Sequence, residues 1–264
     1  MKHILVPIGE TENALNTLQY AIDFAAVTNA KVFVFRAYNI QTKAGTMINI
    51  DEIIARETNL YLRTMVNAAN TKNVSIQLIA SKGNVVDSIV AIDKELGVDL
   101  IIVGAKSNSM KDEVFLGKTT GSIVKQTQIP VIIIPKGFSF SPFKNVLTAF
   151  KSGIVQQKDA LKPLQFVKET FKASVHLLLV KTPKHTTEDL VLDSRLEALH
   201  TGFSTVENGT TYQGVLVKLE TLQPDLLCVF RRKKGFFQKL WEKNTILKSE
   251  FHCSIPLLIL SGRQ

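Results

Sequence analysis

One apolar segment of the chain occurs twice at a fixed offset, and this repeat constrains the fold more than any other feature of the sequence. The strand-like run that begins at Pro130 has its counterpart at Pro256, 126 residues later. The run that follows Asp99 recurs after Asp225 at the same offset. Because an X-Pro strand and a buried strand keep their spacing in both places, the pattern indicates that one domain plan is used twice.

The length of the chain agrees with this interpretation. A protein of 264 residues is expected to hold two domains at the usual ~100–200 residues per domain. The opening strands of the two copies lie 142 residues apart, at 4–8 and 146–150, so the second copy lacks about 16 residues in its middle. We predict one domain over residues 1–137 and a second over 143–264, joined near residues 138–143.

Short apolar runs and amphipathic segments alternate along both copies. Continuous β-branched runs are typical of parallel strands that are buried on both faces. Strand–helix alternation then favours an α/β class with two doubly wound parallel sheets. In the helical segments, Thr11 is expected to cap the first helix, and a helix is expected over 188–200. The predicted strands are 4–8, 31–35, 74–79, 100–103 and 131–134, followed by 145–150, 174–180, 203–206, 226–230 and 256–260.

Several features bear on the cellular compartment. The sequence contains two cysteines, Cys228 and Cys253, and both adjoin apolar runs, so we expect buried reduced thiols. No apolar run approaches the ~20 residues of a membrane span. The start of the chain leads directly into a strand, and we therefore expect no signal peptide and a cytoplasmic location.

Positive charge is concentrated in the second copy. The net charge is +9, with 14 basic and 12 acidic side chains in 1–137 and 18 and 11 in the remainder. A basic and aromatic segment is consistent with an interaction module that contacts an acidic partner or an anionic surface. The alternative is that its aromatic side chains pack on the domain while its charges are solvated. The segment contains Arg231, Arg232, Lys233, Lys234, Phe236, Phe237 and Trp241.

The opening strand 4–8, the run 99–104 and the closing strand 129–134 together resemble the universal stress protein family. The resemblance covers nearly the whole chain as a tandem pair. It implies the strand order 3-2-1-4-5, in which strands one and four lie side by side. Their carboxyl ends then form the crevice where open α/β sheets bind ligands.

Nucleotide-binding members of this family carry a Gly-x2-Gly-x9-Gly-Ser/Thr loop after strand four. Here the outer glycines match, the middle glycine is a serine, and a lysine replaces the small hydroxyl residue. Glycines let the backbone approach phosphates, and the following helix start binds anions. The resemblance thus implies ATP or AMP in the first copy. The candidate binding residues are Pro7, Ile8, Gly9, Thr11, Val103, Gly104, Ser107, Gly117, Lys118, Thr119 and Thr120.

Two further departures limit the expected binding. The family's acidic residue after strand one is replaced by a glycine, in the sequence Gly9-Glu10-Thr11. In the second copy, Phe230 stands where Gly104 stood and Lys243 where Gly117 stood. A phenylalanine at the position of close approach fills the space that a phosphate needs. We therefore expect at most one nucleotide crevice in the chain.

The leading functional hypothesis is a non-enzymatic stress-response or regulatory protein with no catalytic or metal-binding residues. The alternative is a slow ATP-hydrolysing or self-phosphorylating switch, for which Asp112 or Glu113 would have to organise Mg²⁺. Family members pair through strand five, which is an apolar edge. We expect strands 131–134 and 256–260 to form an intramolecular pseudo-dimer, with further association into a homo-oligomer left open.

Overall fold

The computed structural model describes residues 1–39, 50–105, 117–183, 185–231 and 254–261. The chain divides into two compact units. The described part of the first unit consists of residues 1–39, 50–105, 117–129 and 136–140. The second unit contains 130–135 and the described residues from 141 onward. The fifth strand of the first repeat therefore groups with the second unit. The domain division at 137 and 143 remains a proposal.

The first unit is a parallel sheet with helices between its strands. Its strand order is β3-β2-β1-β4, which is the predicted order of the first four strands. Helix α1 contacts α2, and α3 contacts α4. The elements are β1 His3–Pro7, α1 Ala14–Thr28, β2 Lys31–Tyr38, α2 Ile50–Ala68, β3 Ile76–Lys82, α3 Val85–Leu96, β4 Leu100–Gly104 and α4 Lys118–Gln126.

The second unit repeats this plan. Its strands follow the order β5-β10-β9-β6-β7-β8, in which the five strands of the second repeat have the predicted arrangement. These five strands, β6 to β10, are mutually parallel. The elements are β5 Val131–Ile134, β6 Asn145–Phe150, α5 Lys162–Phe171, β7 Ser174–Lys181, a 3-10 turn Glu188–Leu190, α6 Ser194–Leu199, β8 Gly202–Glu207, α7 Thr211–Leu222, β9 Leu226–Arg231 and β10 Leu257–Ser261. The α/β class with doubly wound parallel sheets is thus confirmed.

Strand β5 pairs antiparallel with β10, and Ile132 lies opposite Leu258. Both side chains are almost fully buried, with exposed fractions of 1% and 0%. The edge of β5 is therefore covered by a strand of the same chain, as expected from its apolar sequence. The pairing that we predicted between these two segments is present.

The central strands owe their burial to continuous apolar sequence. Ile4, Leu5 and Val6 of β1 are fully buried, as are Leu226 and Leu227 of β9. Uninterrupted apolar strands of this kind need cover on both faces of the sheet.

Two predicted details of the helices are wrong. Helix α1 begins at Ala14 and is preceded by Asn13 as its N-cap residue, whereas Thr11 only accepts a bond from the backbone N–H of Ala14 at 3.0 Å. The helix expected over 188–200 is divided into the 3-10 turn and the six residues of α6. The shorter middle of the second repeat leaves too few residues for a helix as long as α2.

Candidate functional site

The predicted crevice lies at the carboxyl ends of β1 and β4. These strands are parallel neighbours, with Leu5 opposite Ile101. Just beyond β1, Ile8 donates its backbone N–H to the carbonyl of Phe35 at 2.8 Å. Ile8 and Val103 are buried, with 4% and 3% exposed. The strand ends thus provide an apolar frame, with space beside the Cα of Gly9 beyond Pro7, because a Cβ there would meet its nearest atom only at 4.0 Å.

Gly104 has no room for a side chain. A Cβ at this position would lie 2.6 Å from Oγ1 of Thr17 and 2.9 Å from Nδ2 of Asn13. Separations under 3.0 Å require a neighbour to move. A side chain at this position would therefore have to displace Thr17 or Asn13, so the close approach of α1 to the end of β4 favours glycine here independently of any phosphate.

Asn13 is the residue of this crevice that sequence reasoning missed. Its side chain is 1% exposed, and among the described residues its Nδ2 has no hydrogen-bond partner. Its Oδ1 accepts from the backbone N–H of Gly137 at 3.4 Å. A buried amide donor without an acceptor costs free energy, on the order of 1–3 kcal/mol. The helix start that contains Asn13 is part of the family resemblance, but sequence reasoning assigned it no binding role, because that role depends on the proximity of α1 to Gly104.

The start of α4 borders the same strand end. Gly117 is the N-cap residue of this helix, and Lys118 and Thr119 in its first turn are exposed. Thr120 is buried and donates its Oγ1 hydroxyl to the carbonyl of Gly104 at 3.2 Å. The hydroxyl of Thr120 is thus already engaged with Gly104, whereas the side chains of Lys118 and Thr119 are accessible. Ser107, Asp112 and Glu113 lie outside the described residues.

A charged and aromatic group adjoins the loop after β1. Glu10 forms an ion pair with Arg36, whose guanidinium lies 4.2 Å from the ring centroid of Tyr61. The Tyr61 hydroxyl donates to the carbonyl of Gly9 at 2.9 Å. Glu10 is therefore engaged with Arg36, and Thr11 is exposed at the surface.

Comparisons with known proteins agree with this architecture. The model of the universal stress protein family matches residues 1–135, which is just over half of the 264 residues. The chain belongs to the universal stress protein family. Among curated relatives, a universal stress protein of Methanocaldococcus jannaschii is 21% identical over 140 residues, covering 51% of this chain and 82% of the relative.

Solved structures extend the similarity of this universal stress protein over both repeats. A universal stress protein of Archaeoglobus fulgidus superimposes with a TM-score of 0.70 at 20% identity, covering 98% of each chain. A functionally unknown protein of Pseudomonas aeruginosa PAO1 gives a TM-score of 0.61 at 14% identity and covers 99% of this chain and 93% of its own. At these identities the likeness establishes the fold.

In the second repeat, the described strand ends that correspond to the crevice are closed by aromatic side chains. Phe150 and Phe230, at the ends of β6 and β9, are each 4% exposed and pack edge to face at 6.3 Å. Phe230 thus occupies the space at the position that corresponds to Gly104. The following loop is also bridged, because Gly153 donates to the carbonyl of Asp189 at 2.9 Å and accepts from the N–H of Asp193 at 3.1 Å.

A histidine and a cysteine of this family member lie within strands of the second unit. His176 in β7 lies 2.8 Å from Oγ of Ser204 through its Nε2. Cys228 is a free, buried cysteine, and burial raises the pKa of its thiol. Cys253 and Lys243 lie outside the described residues, as does the basic and aromatic segment beyond Arg231. Within the described residues, no helix is long and apolar enough to cross a membrane.

Proposed function

We propose that the first repeat binds an adenine nucleotide, ATP or AMP, and that the chain acts as a non-enzymatic regulatory protein of the stress response in the cytoplasm. The observation that carries the proposal is the buried Nδ2 of Asn13 beside Gly104, which has no acceptor in the part of the chain that the structure describes. This donor adjoins a strand end whose carbonyl is bonded to the first turn of α4. A phosphate oxygen is the acceptor that such a site favours.

The chain's own residues would divide the work of binding. Asn13 and the backbone N–H groups at the start of α4 would donate to phosphate oxygens, and exposed Lys118 would add a positive charge. Thr119 would offer a further hydroxyl. Ile8 and Val103 would frame the base, for which there is space beside the Cα of Gly9. The hydroxyl of Thr120 would remain on Gly104.

The first test is the nucleotide content and affinity of the purified chain. Material released by denaturation is analysed by mass spectrometry, and ATP and AMP are titrated calorimetrically with and without Mg²⁺. We expect one nucleotide to bind, and we expect Asn13→Asp to weaken binding at least about tenfold, because loss of one hydrogen bond to a charged group amounts to ~1.5–3 kcal/mol.

Asn59→Asp is the matched control, since Asn59 bonds within α2 to Ala55 and the variant makes the same change in charge. An equal loss in both variants would point to a general charge effect. Absence of nucleotide together with absence of binding at millimolar ATP or AMP would overturn the proposed function. The ATP-hydrolysing alternative stays a hypothesis, because its two candidate carboxylates lie outside the described residues.

A further inference from the structure

The segment 136–140, which leads from the first repeat to the second, is held along helix α1; we name it the strap. At its beginning, Lys136 Nζ forms an ion pair with Glu12 Oε2 at 2.8 Å. This hydrogen-bonded lysine lowers the pKa of the Glu12 carboxyl. One turn later, Asn16 donates its Nδ2 to the carbonyl of Phe138 at 3.2 Å. Polar contacts therefore fix the first half of the strap.

Aromatic contacts fix its second half. The ring of Tyr20 lies 6.5 Å from that of Phe138 and 5.3 Å from that of Phe140. Phe24 adds an edge contact to Phe140 at 5.6 Å. Tyr20 and Phe24 are almost fully buried, with exposed fractions of 1% and 0%. Edge contacts between aromatic rings stabilise beyond the burial of apolar area.

The geometry of this contact is regular. The residues that meet the strap are Glu12, Asn16, Tyr20 and Phe24, which follow one another at intervals of four. Lys136 meets Glu12, Phe138 meets Asn16 and Tyr20, and Phe140 meets Tyr20 and Phe24. Alternate strap residues thus meet successive positions along one face of α1 and the residues before it. The strap is a matched segment rather than an unattached linker.

The side chain of Asn13 contacts both the strap and the end of β4. The carbonyl oxygen of its side-chain amide accepts from Gly137 in the strap at 3.4 Å. The amide nitrogen would lie 2.9 Å from a Cβ at Gly104. Since both atoms belong to one planar amide, a displacement or reorientation at the Gly104 end also moves the acceptor that Gly137 uses.

We infer that Asn13 couples the crevice to the strap, so that the state of the crevice controls how firmly the strap is docked on α1. A ligand that accepts from Nδ2 fixes the amide and tightens the bond from Gly137. Displacement of the amide loosens that bond. The inference rests on the proposed function for its natural input, whereas the coupling itself can be tested without a ligand.

The ligand-free test uses hydrogen–deuterium exchange of the strap in the full chain. In Gly104→Ala the new methyl group presses on Asn13 and Thr17, and we expect the strap amides to exchange at least about fivefold faster. Gly9→Ala is the matched control, because its methyl group enters open space at the same crevice. Circular dichroism establishes that each variant is folded.

A second variant protects the test against misfolding. Thr17→Ala combined with Gly104→Ala removes the 2.6 Å contact, but it also removes the hydrogen bond from Thr17 Oγ1 to the carbonyl of Asn13, so the double variant is compared with Thr17→Ala alone. If folded Gly104→Ala keeps the exchange rate of Gly9→Ala and the double variant keeps that of Thr17→Ala, the inference is overturned. Faster exchange in either folded variant than in its own control supports it.

The ligand arm measures exchange of the native chain with saturating ATP or AMP. Slower exchange at the strap is the expected result. Binding without any change at the strap would overturn the coupling and leave the proposed function intact. Failure of both nucleotides to bind would overturn the proposed function alone, since the Gly104 variants still decide whether the crevice and the strap are coupled.

Discussion

Two corresponding aspartates accept backbone N–H groups at the start of the first strand of each repeat. Asp99 Oδ2 accepts the backbone N–H groups of Lys2 and His3 at 2.6 and 3.0 Å. The corresponding Asp225 accepts from Lys144 and Asn145 at 2.7 and 2.8 Å. Both aspartates thus accept from the first backbone N–H groups of a neighbouring strand. The partners could not be predicted, because each lies about 80 to 97 residues away in the chain.

We expect Asp99→Ala and Asp225→Ala each to lower the free energy of unfolding by about 1–2 kcal/mol, because two backbone donors lose a charged acceptor at a partly solvated position. Urea denaturation measures the effect. Asp159→Ala is the control, since the side chain of Asp159 is 58% exposed and forms only a surface pair with Lys162. Stabilities equal to that of the control would show that the caps are dispensable.

Among the elements, the short helix α6 anchors a neighbouring loop through one arginine. Arg195 in this short helix donates from Nη1 to the carbonyl of Lys158 at 3.0 Å and from Nη2 to the carbonyl of Val155. It also forms an ion pair with Asp193 at 2.8 Å, and the hydrogen bond from Arg195 lowers the pKa of the Asp193 carboxyl. One guanidinium thus holds the loop between β6 and α5.

Replacing Arg195 by lysine keeps the charge but removes the planar set of donors that reaches several carbonyls at once. We expect Arg195→Lys to lower the melting temperature by about 4 °C, on the scale of domains of this size. Lys162→Arg serves as the control, because it replaces an exposed lysine by arginine and keeps the charge. A melting temperature of Arg195→Lys within one degree of the native value would show that the guanidinium of Arg195 does not stabilise this loop.

The strands could be predicted from sequence, and the contacts between elements could not. The run at Leu100 needs only its apolar composition to be recognised as a buried strand. The first helix shows the limit, because Thr11 fits the capping preference as well as Asn13 does, and tertiary packing selects Asn13. Of the candidate site, the glycines follow from the family resemblance. The amide of Asn13 and the bond from Thr120 depend on how α1 and α4 meet β4.

On the scale of the whole molecule, the two repeats share a strand order and differ in what stands at the strand ends. The first repeat has Gly104 beside the buried amide of Asn13. The second has Phe230 packed on Phe150, with Gly153 bridged to a neighbouring loop. Each change is local, so the described strand ends of the two repeats are not equivalent although the strand order is the same. The asymmetry explains why a tandem chain is expected to hold one ligand.

We expect calorimetry to give one nucleotide per chain. Substitutions at the corresponding positions 104 and 230 test whether the residue at the strand end decides which repeat binds. Gly104→Phe introduces the residue of the second repeat into the first, and binding should be lost because the ring fills the crevice. Phe230→Ala costs about 3–5 kcal/mol of stability through the cavity that it leaves. It should not create a second site, since Phe150 and the bridge at Gly153 remain. Two nucleotides per native chain, or a second one gained in Phe230→Ala, would contradict the closure of the second repeat.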